Sequence, residues 1–114
     1  MLRSTVILNR LLTRLRIRHV QVLVRLSELG NVKRTAQAIG MTQPAVSQLL
    51  ADMERLIEAP LFLRHARGVT PTAMAHDLLP LARHMLSDIE AGAERVSARL
   101  NSYEGVVRVS ASPA

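Results

Sequence analysis

The feature that most restricts the fold of this chain is the spacing of small and apolar residues across 32–50, VKRTAQAIGMTQPAVSQLL. Two short helices cross closely only where a small side chain and an apolar plug meet across a tight turn. Ala36, Gly40 and Val46 supply those three parts. Ile39, Met41 and Leu49 fill the other inward positions, which leaves Lys33, Arg34, Gln37, Gln43, Ser47 and Gln48 outside the apolar set. The segment reads as a helix-turn-helix. Many pairs of packed helices need such a trio, so the entry to the second helix carries extra weight. There Thr42 can cap, and Pro44 occupies the first turn, where its missing N–H is not needed. Gln43, Ser47 and Gln48 then lie on the first two turns, the part of a recognition helix that meets base edges in the major groove.

The distribution of charge supports a nucleic-acid surface. Of the formal +6 on 114 residues, the N-terminal stretch 1–35 carries eight Lys or Arg against Glu28 alone, whereas 36–71 balances three against three. A basic field is thus concentrated around the first helix of the motif, as a phosphate-facing surface requires, although a solvated basic face is the plainer alternative. Phe62 and Tyr103 are the whole aromatic complement, too few to stack unpaired bases, so double-stranded DNA is the better partner. The absence of cysteine rules out a disulfide framework and a Cys-based zinc site and is compatible with a cytoplasmic setting. His19, His65, His76 and His84 are dispersed without metal-ligand spacing, so no metal and no cofactor is expected. The acidic residues form no paired-carboxylate or nucleophile arrangement, which argues against an enzyme.

Residues 17–29 carry an apolar stripe from Ile17, Val20, Leu23 and Val24, ended by Gly30. Asn31 can cap a helix over 32–39, and the recognition helix is expected over 43–57. In the following segment, APLFLRHARGVT, the pattern of a small hairpin appears, with Leu61–Leu63 and Val69–Thr70 as strands around Arg64, His65, Ala66 and Arg67. Such a wing is placed to grip the backbone or enter the minor groove. Thr72 can cap a last helix reaching Asn101, in which Ala75, Leu79, Ala82, Leu86, Ile89, Ala93, Val96 and Leu100 step by fours and threes. At about 45 Å this helix is longer than a small domain covers, so a partner is expected to bury the seam and the chain to dimerise through it. Pro80 requires either a local kink or a helix start nearer Leu78.

The two ends read differently. Residues 1–16 form a basic extension without a cleavage pattern or a membrane-spanning run. Leu8, Leu11, Leu12 and Leu15 share one helical face there, and a disordered arm, an extra packed turn, a phosphate-tracking surface and a membrane-surface segment are all open. At the other end VVRVSA alternates like a strand without a partner, so 102–114 reads as a hinge and the first strand of a further domain.

The order and spacing of TQPAVSQ, LFLR, RGVTPT and LLPLAR resemble the N-terminal region of LysR-type transcriptional regulators over about residues 17–110. The resemblance implies a mainly α fold, a winged helix-turn-helix over 17–71 followed by a linker helix over 72–101. It further implies antiparallel pairing of that helix in a dimer, a tetramer in the full-length protein, and a small-molecule effector bound only in a C-terminal domain lacking here. Function would be sequence-specific binding of an interrupted palindrome. By this resemblance Thr42, Gln43, Pro44, Ala45, Ser47 and Gln48 belong to the reading end of the helix, and Arg64 and Arg67 to the wing. Asn31, Lys33, Arg34 and His65 complete the candidate DNA contacts. Departures stand at Thr35, where a second alanine is common, at Pro71, where leucine is usual, at Ala75, where glycine is frequent, and in an extra dozen N-terminal residues. A protein-interaction module is the alternative from another class, separated by its weak response to salt.

Overall fold

The computed structural model describes the backbone of residues 3–107 and the side chains of 3–102. Five helices and one hairpin follow in the order α1 (Ser4–Arg14), α2 (Ile17–Leu29), α3 (Val32–Ile39), α4 (Gln43–Ile57), β1 (Phe62–His65), β2 (Gly68–Pro71) and α5 (Ala73–Val107). The winged helix-turn-helix and long final helix expected from the sequence are present.

Local chemistry sets the boundaries. Asn31 accepts the Arg34 N–H at 2.9 Å to cap α3, and Thr42 accepts the Ala45 N–H at 3.2 Å to cap α4, with Pro44 in its first turn. Between them Gly40 takes φ 68°, which lets the Met41 N–H return to the Ala36 carbonyl at 2.9 Å and close α3. Thr72 receives the α5 start through its carbonyl and hydroxyl, and its own hydroxyl donates to the Pro60 carbonyl at 2.8 Å, joining the foot of the wing to α5.

The core gathers around α2. Val20, Val22, Leu23, Val24 and Leu26 are buried against Ala36, Val46, Leu50 and Met53 from the helix-turn-helix, and Leu61, Phe62 and Val69 from the hairpin. Ile17, counted in the sequence stripe, is exposed, whereas Val22 and Leu26 lie fully inside, because α2 is packed by α3, α4, α5 and β2 and buries more than one face. Thr35 is also fully buried, its hydroxyl donating to the Asn31 carbonyl at 2.8 Å, so the hydroxyl at this crowded position is satisfied within its own helix.

Several expectations change. The hairpin strands are longer than read, pairing Phe62 with Pro71 and His65 with Gly68 and leaving only Ala66 and Arg67 in the turn. In the extension, Leu11 of α1 and Leu15 just beyond its end are half-buried while Leu8 and Leu12 face solvent, so the leucines do not share one buried face. The stripe expected to form a dimer seam also divides. Ala75, Leu79 and Ala82 are buried in the core of their own chain beside α2, so they are unavailable to a partner, whereas Ile89, Ala93, Val96 and Leu100 are exposed. Helix α5 runs unbroken through Pro80, which faces solvent, and on through Val107 rather than stopping at Asn101. Val106 and Val107 are therefore helical, and the rest of the expected terminal strand lies outside the described residues.

The hairpin is seated by close backbone contact. The Val69 N–H donates to the Gly30 carbonyl at 3.0 Å, and a Cβ on Gly68, whose φ is 134°, would stand 2.1 Å from that same oxygen. Replacing Gly68 by Ala should lift the wing from α2 and cost about 1–3 kcal/mol, measured as a lower midpoint of chemical denaturation. An unchanged midpoint would show that the wing is not fixed at this point.

Candidate nucleic-acid interface

The first two turns of α4 project from the core because Val46 and Leu50 anchor the opposite side of the helix. Thr42, Gln43, Pro44 and Gln48 are exposed, and Ala45 and Ser47 half-buried. Lys33 and Arg34 are exposed on the first turn of α3, where Asn31 is half-buried as the cap. Arg64, His65 and Arg67 are exposed at the end of the hairpin, with the His65 Nδ1 accepting the Arg67 N–H at 3.1 Å. The sequence candidates thus occupy three elements that pack around α2: the helix that can read, the helix before it, and the wing. Amide and hydroxyl groups on α4 can pair with base edges, and the cations on α3 and the hairpin suit phosphates.

The downstream face of α4 contributes groups that sequence reading passed over. Gln48 donates through Nε2 to Asp52 Oδ1 at 2.9 Å, and Arg55 pairs with the same oxygen. Those two hydrogen bonds hold the Asp52 carboxyl below its ordinary value of 3.8. The bond from Gln48 uses one of its two amide N–H groups and leaves its carbonyl oxygen as an acceptor suited to the exocyclic amines of adenine or cytosine. The i, i+4 spacing of Gln48 and Asp52 was the available signal. Arg18, by contrast, is structural: it donates to Gln21 at 2.7 Å and reaches the Ile39 carbonyl at 3.4 Å.

Behind Asp52 lies His19, 4 % exposed. Its Nδ1 accepts the Arg16 N–H at 2.8 Å, closing the first turn of α2, while Nε2 stands 3.9 Å from Asp52 Oδ2, beyond hydrogen-bond reach. Burial lowers its pKa from the ordinary 6.5; Asp52 opposes that shift and the Arg16 charge adds to it. Among the described residues no group of three or more His, Cys, Asp or Glu is placed to hold a metal, and no helix is long and apolar enough to cross a membrane.

Comparison with known proteins gives a consistent pattern. Residues 17–76 match the family described as bacterial regulatory helix-turn-helix protein, lysR family. The HTH-type transcriptional regulator GbpR of Azospirillum brasilense is 38% identical over 96 residues, covering 84% of this chain and 28% of that relative. The chain thus spans under a third of the length of this curated relative. A solved structure of Corynebacterium glutamicum OxyR superposes with a TM-score of 0.70 at 25% identity, over 75% of this chain and 27% of that one. The CbnR DNA-binding domain, solved in complex with DNA, shares the fold with a TM-score of 0.64 at 24% identity, over 75% of this chain and 99% of its own.

His19 generates a pH prediction with a definite sign. Its folded pKa is depressed, so the unfolded chain binds the proton more readily as pH falls below about 6.5; stability is full above that value and declines toward the folded pKa. Denaturation midpoints between neutral pH and about 5 should therefore fall with acid. His19→Gln, which can still accept the Arg16 N–H from the same helical position, should flatten that slope. Equal slopes in both proteins would remove His19 as the source.

Proposed function

Because the chain belongs to the LysR family of bacterial regulatory helix-turn-helix proteins, we propose that it binds double-stranded DNA sequence-specifically and regulates transcription as part of a homodimer. The observation that carries this reading is the exposed reading end of α4, flanked by exposed cations on α3 and the hairpin. Gln43, Ser47 and Gln48 read bases, while Lys33, Arg34, Arg64 and Arg67 grip phosphates, with Asn31, Thr42, Pro44, Ala45 and His65 shaping the contact surface. Catalysis has no part in this function, and no metal or cofactor is needed for it. The DNA complex of the CbnR domain, which shares the fold, supports the choice of ligand.

Pairing rests on the outer half of α5. Ile89, Ala93, Val96 and Leu100 recur at steps of four and three and are exposed, and Leu86, half-buried at the edge of the core, begins the stripe. Two antiparallel copies bury it and set two reading helices on an interrupted palindrome. In the whole protein, an effector-binding domain following α5 confers response to a small molecule and assembly to a tetramer, and the regulator works in the cytoplasm.

Two measurements test this reading. Gln43→Ala should lose about 1–3 kcal/mol on the preferred operator and much less on random duplex, whereas Arg64→Gln should lower the salt slope of binding by about one unit. Equal losses on both duplexes would move Gln43 to the backbone, and an unchanged slope would remove Arg64 from the interface.

Sedimentation tests the pairing with Val96→Asp, chosen because Val96 is 58% exposed and outside the domain core. A carboxylate in the apolar contact should weaken the dimer by several kcal/mol, at least about 100-fold in dissociation constant. A variant that pairs as tightly as its parent would sink the assignment.

A further inference from the structure

The downstream face of α4 forms a cleft with α1 and the start of α2. Arg10, Arg14, Arg16 and Arg55 line it, and Asp52 is the one carboxylate among its lining residues. Asp52 is already engaged by Arg55 and Gln48, and Arg10 by Glu58 at 2.9 Å and the Leu56 carbonyl at 3.0 Å. Arg14 and Arg16 are exposed and have no ion-pair partner among the described residues. The cleft therefore carries two uncompensated guanidinium groups, whose flat donor forks suit an oxyanion.

A second, independent observation comes from His19, which lies in the wall of the same cleft. Because Nδ1 accepts the Arg16 N–H, the neutral ring carries its proton on Nε2, and that atom has no hydrogen-bond partner among the described residues. A buried donor without an acceptor is unfavourable, and here it stands behind Asp52 at the side of a cationic cleft. The start of α2 adds the positive end of a helix dipole at Arg16.

We propose that this cleft is a phosphate-binding site in which Arg14 and Arg16 neutralise the charge and His19 Nε2–H donates to a phosphate oxygen once Asp52 turns aside. Two unpaired guanidinium groups match a phosphate dianion better than a single carboxylate. Gln48 donates to the same Asp52 carboxylate, so occupation of the cleft reaches the reading face of α4. The phosphate has two possible sources. Asp52 lies one helical turn, about 6 Å, beyond Gln48, which brings a DNA backbone phosphate within range; this source rests on the DNA-binding reading above. A free phosphate ester is the other.

The test follows the His19 imidazole by NMR in the full chain, with inorganic phosphate as the first probe and duplex DNA as the second. Chloride at matched ionic strength is the control. A saturable His19 shift with inorganic phosphate, absent in the Arg14→Gln/Arg16→Gln double variant, establishes the site for a free anion. A shift seen only with duplex, together with a salt slope lower by about two units in the double variant, assigns it to the DNA backbone. Both replaced side chains are exposed, and an unchanged thermal midpoint excludes a folding defect. No shift with either probe, or a shift of equal size in the double variant, overturns the proposal. Failure of the parent protein to bind any duplex would instead sink the DNA reading, leaving the phosphate titration to decide the cleft alone.

Discussion

The burial of α2 is the constraint on which the domain depends. Val22 and Leu26 are fully enclosed, and Val20, Leu23 and Val24 nearly so, each contributing about 1.5–3 kcal/mol by removal from water. Helices α3, α4 and α5 and strand β2 all pack on this one rod. Its C-terminal end also supplies the Gly30 carbonyl that receives the wing. The reading helix and the hairpin are therefore placed relative to each other by a common neighbour. That indirect fixing suits the proposed interface, whose contacts must match the pitch of a duplex.

The same rod divides α5 into two working halves. Up to Ala82 the helix belongs to the core, and an ion pair from Arg25 to Glu90 at 3.7 Å marks how far α2 accompanies it. Beyond that point the apolar positions face solvent on a helix whose 35 residues extend about 52 Å. On the pairing proposed above, a helix rooted in one core and exposed at its outer end would carry the orientation of a partner directly to the core that holds α4. Pro80 does not spoil this role. It removes one backbone donor on the solvent side, while Leu79 and Ala82 hold the inner side in place.

Short-range chemistry made much of this legible. The caps at Asn31, Thr42 and Thr72, the turn at Gly40 and the plug at Val46 are each determined within a few residues, and the structure places them where spacing puts them. What spacing cannot tell is which tertiary neighbour covers an apolar stripe. Leu79 and Leu100 look alike in a heptad, yet one is 3% exposed and the other 54% because α2 is long enough to cover only the first. Likewise Leu8 and Leu11 lie on the same side of a helical wheel, and the approach of α1 to α4, held by Arg10 at the Leu56 carbonyl and Glu58, selects Leu11 for the inside. His19 escaped for the same reason. The Asp52 carboxylate that faces it at 3.9 Å is remote in sequence and is brought near only when α2 and α4 cross.

If α4 reads bases as proposed, Asp52 bears on the balance of affinity and selectivity there. A carboxylate one turn behind the proposed base-reading groups would repel a polyanionic ligand, so alone it would weaken binding at every sequence. Arg55 offsets that charge within the same turn, and the hydrogen bond to Gln48 turns the opposing group into a positioning one. A free glutamine amide can rotate to offer either a donor or an acceptor, accommodating several bases with little discrimination. Held through one N–H by Asp52, the Gln48 amide has a set orientation, so on the proposed reading a base edge meets its carbonyl acceptor and remaining N–H in fixed places rather than an amide that turns to suit. On the proposed reading, the arrangement gives up part of the generic attraction to phosphate in exchange for a penalty against wrong bases, a loss that the exposed cations Lys33 and Arg34 on α3 and Arg64 and Arg67 on the hairpin offset.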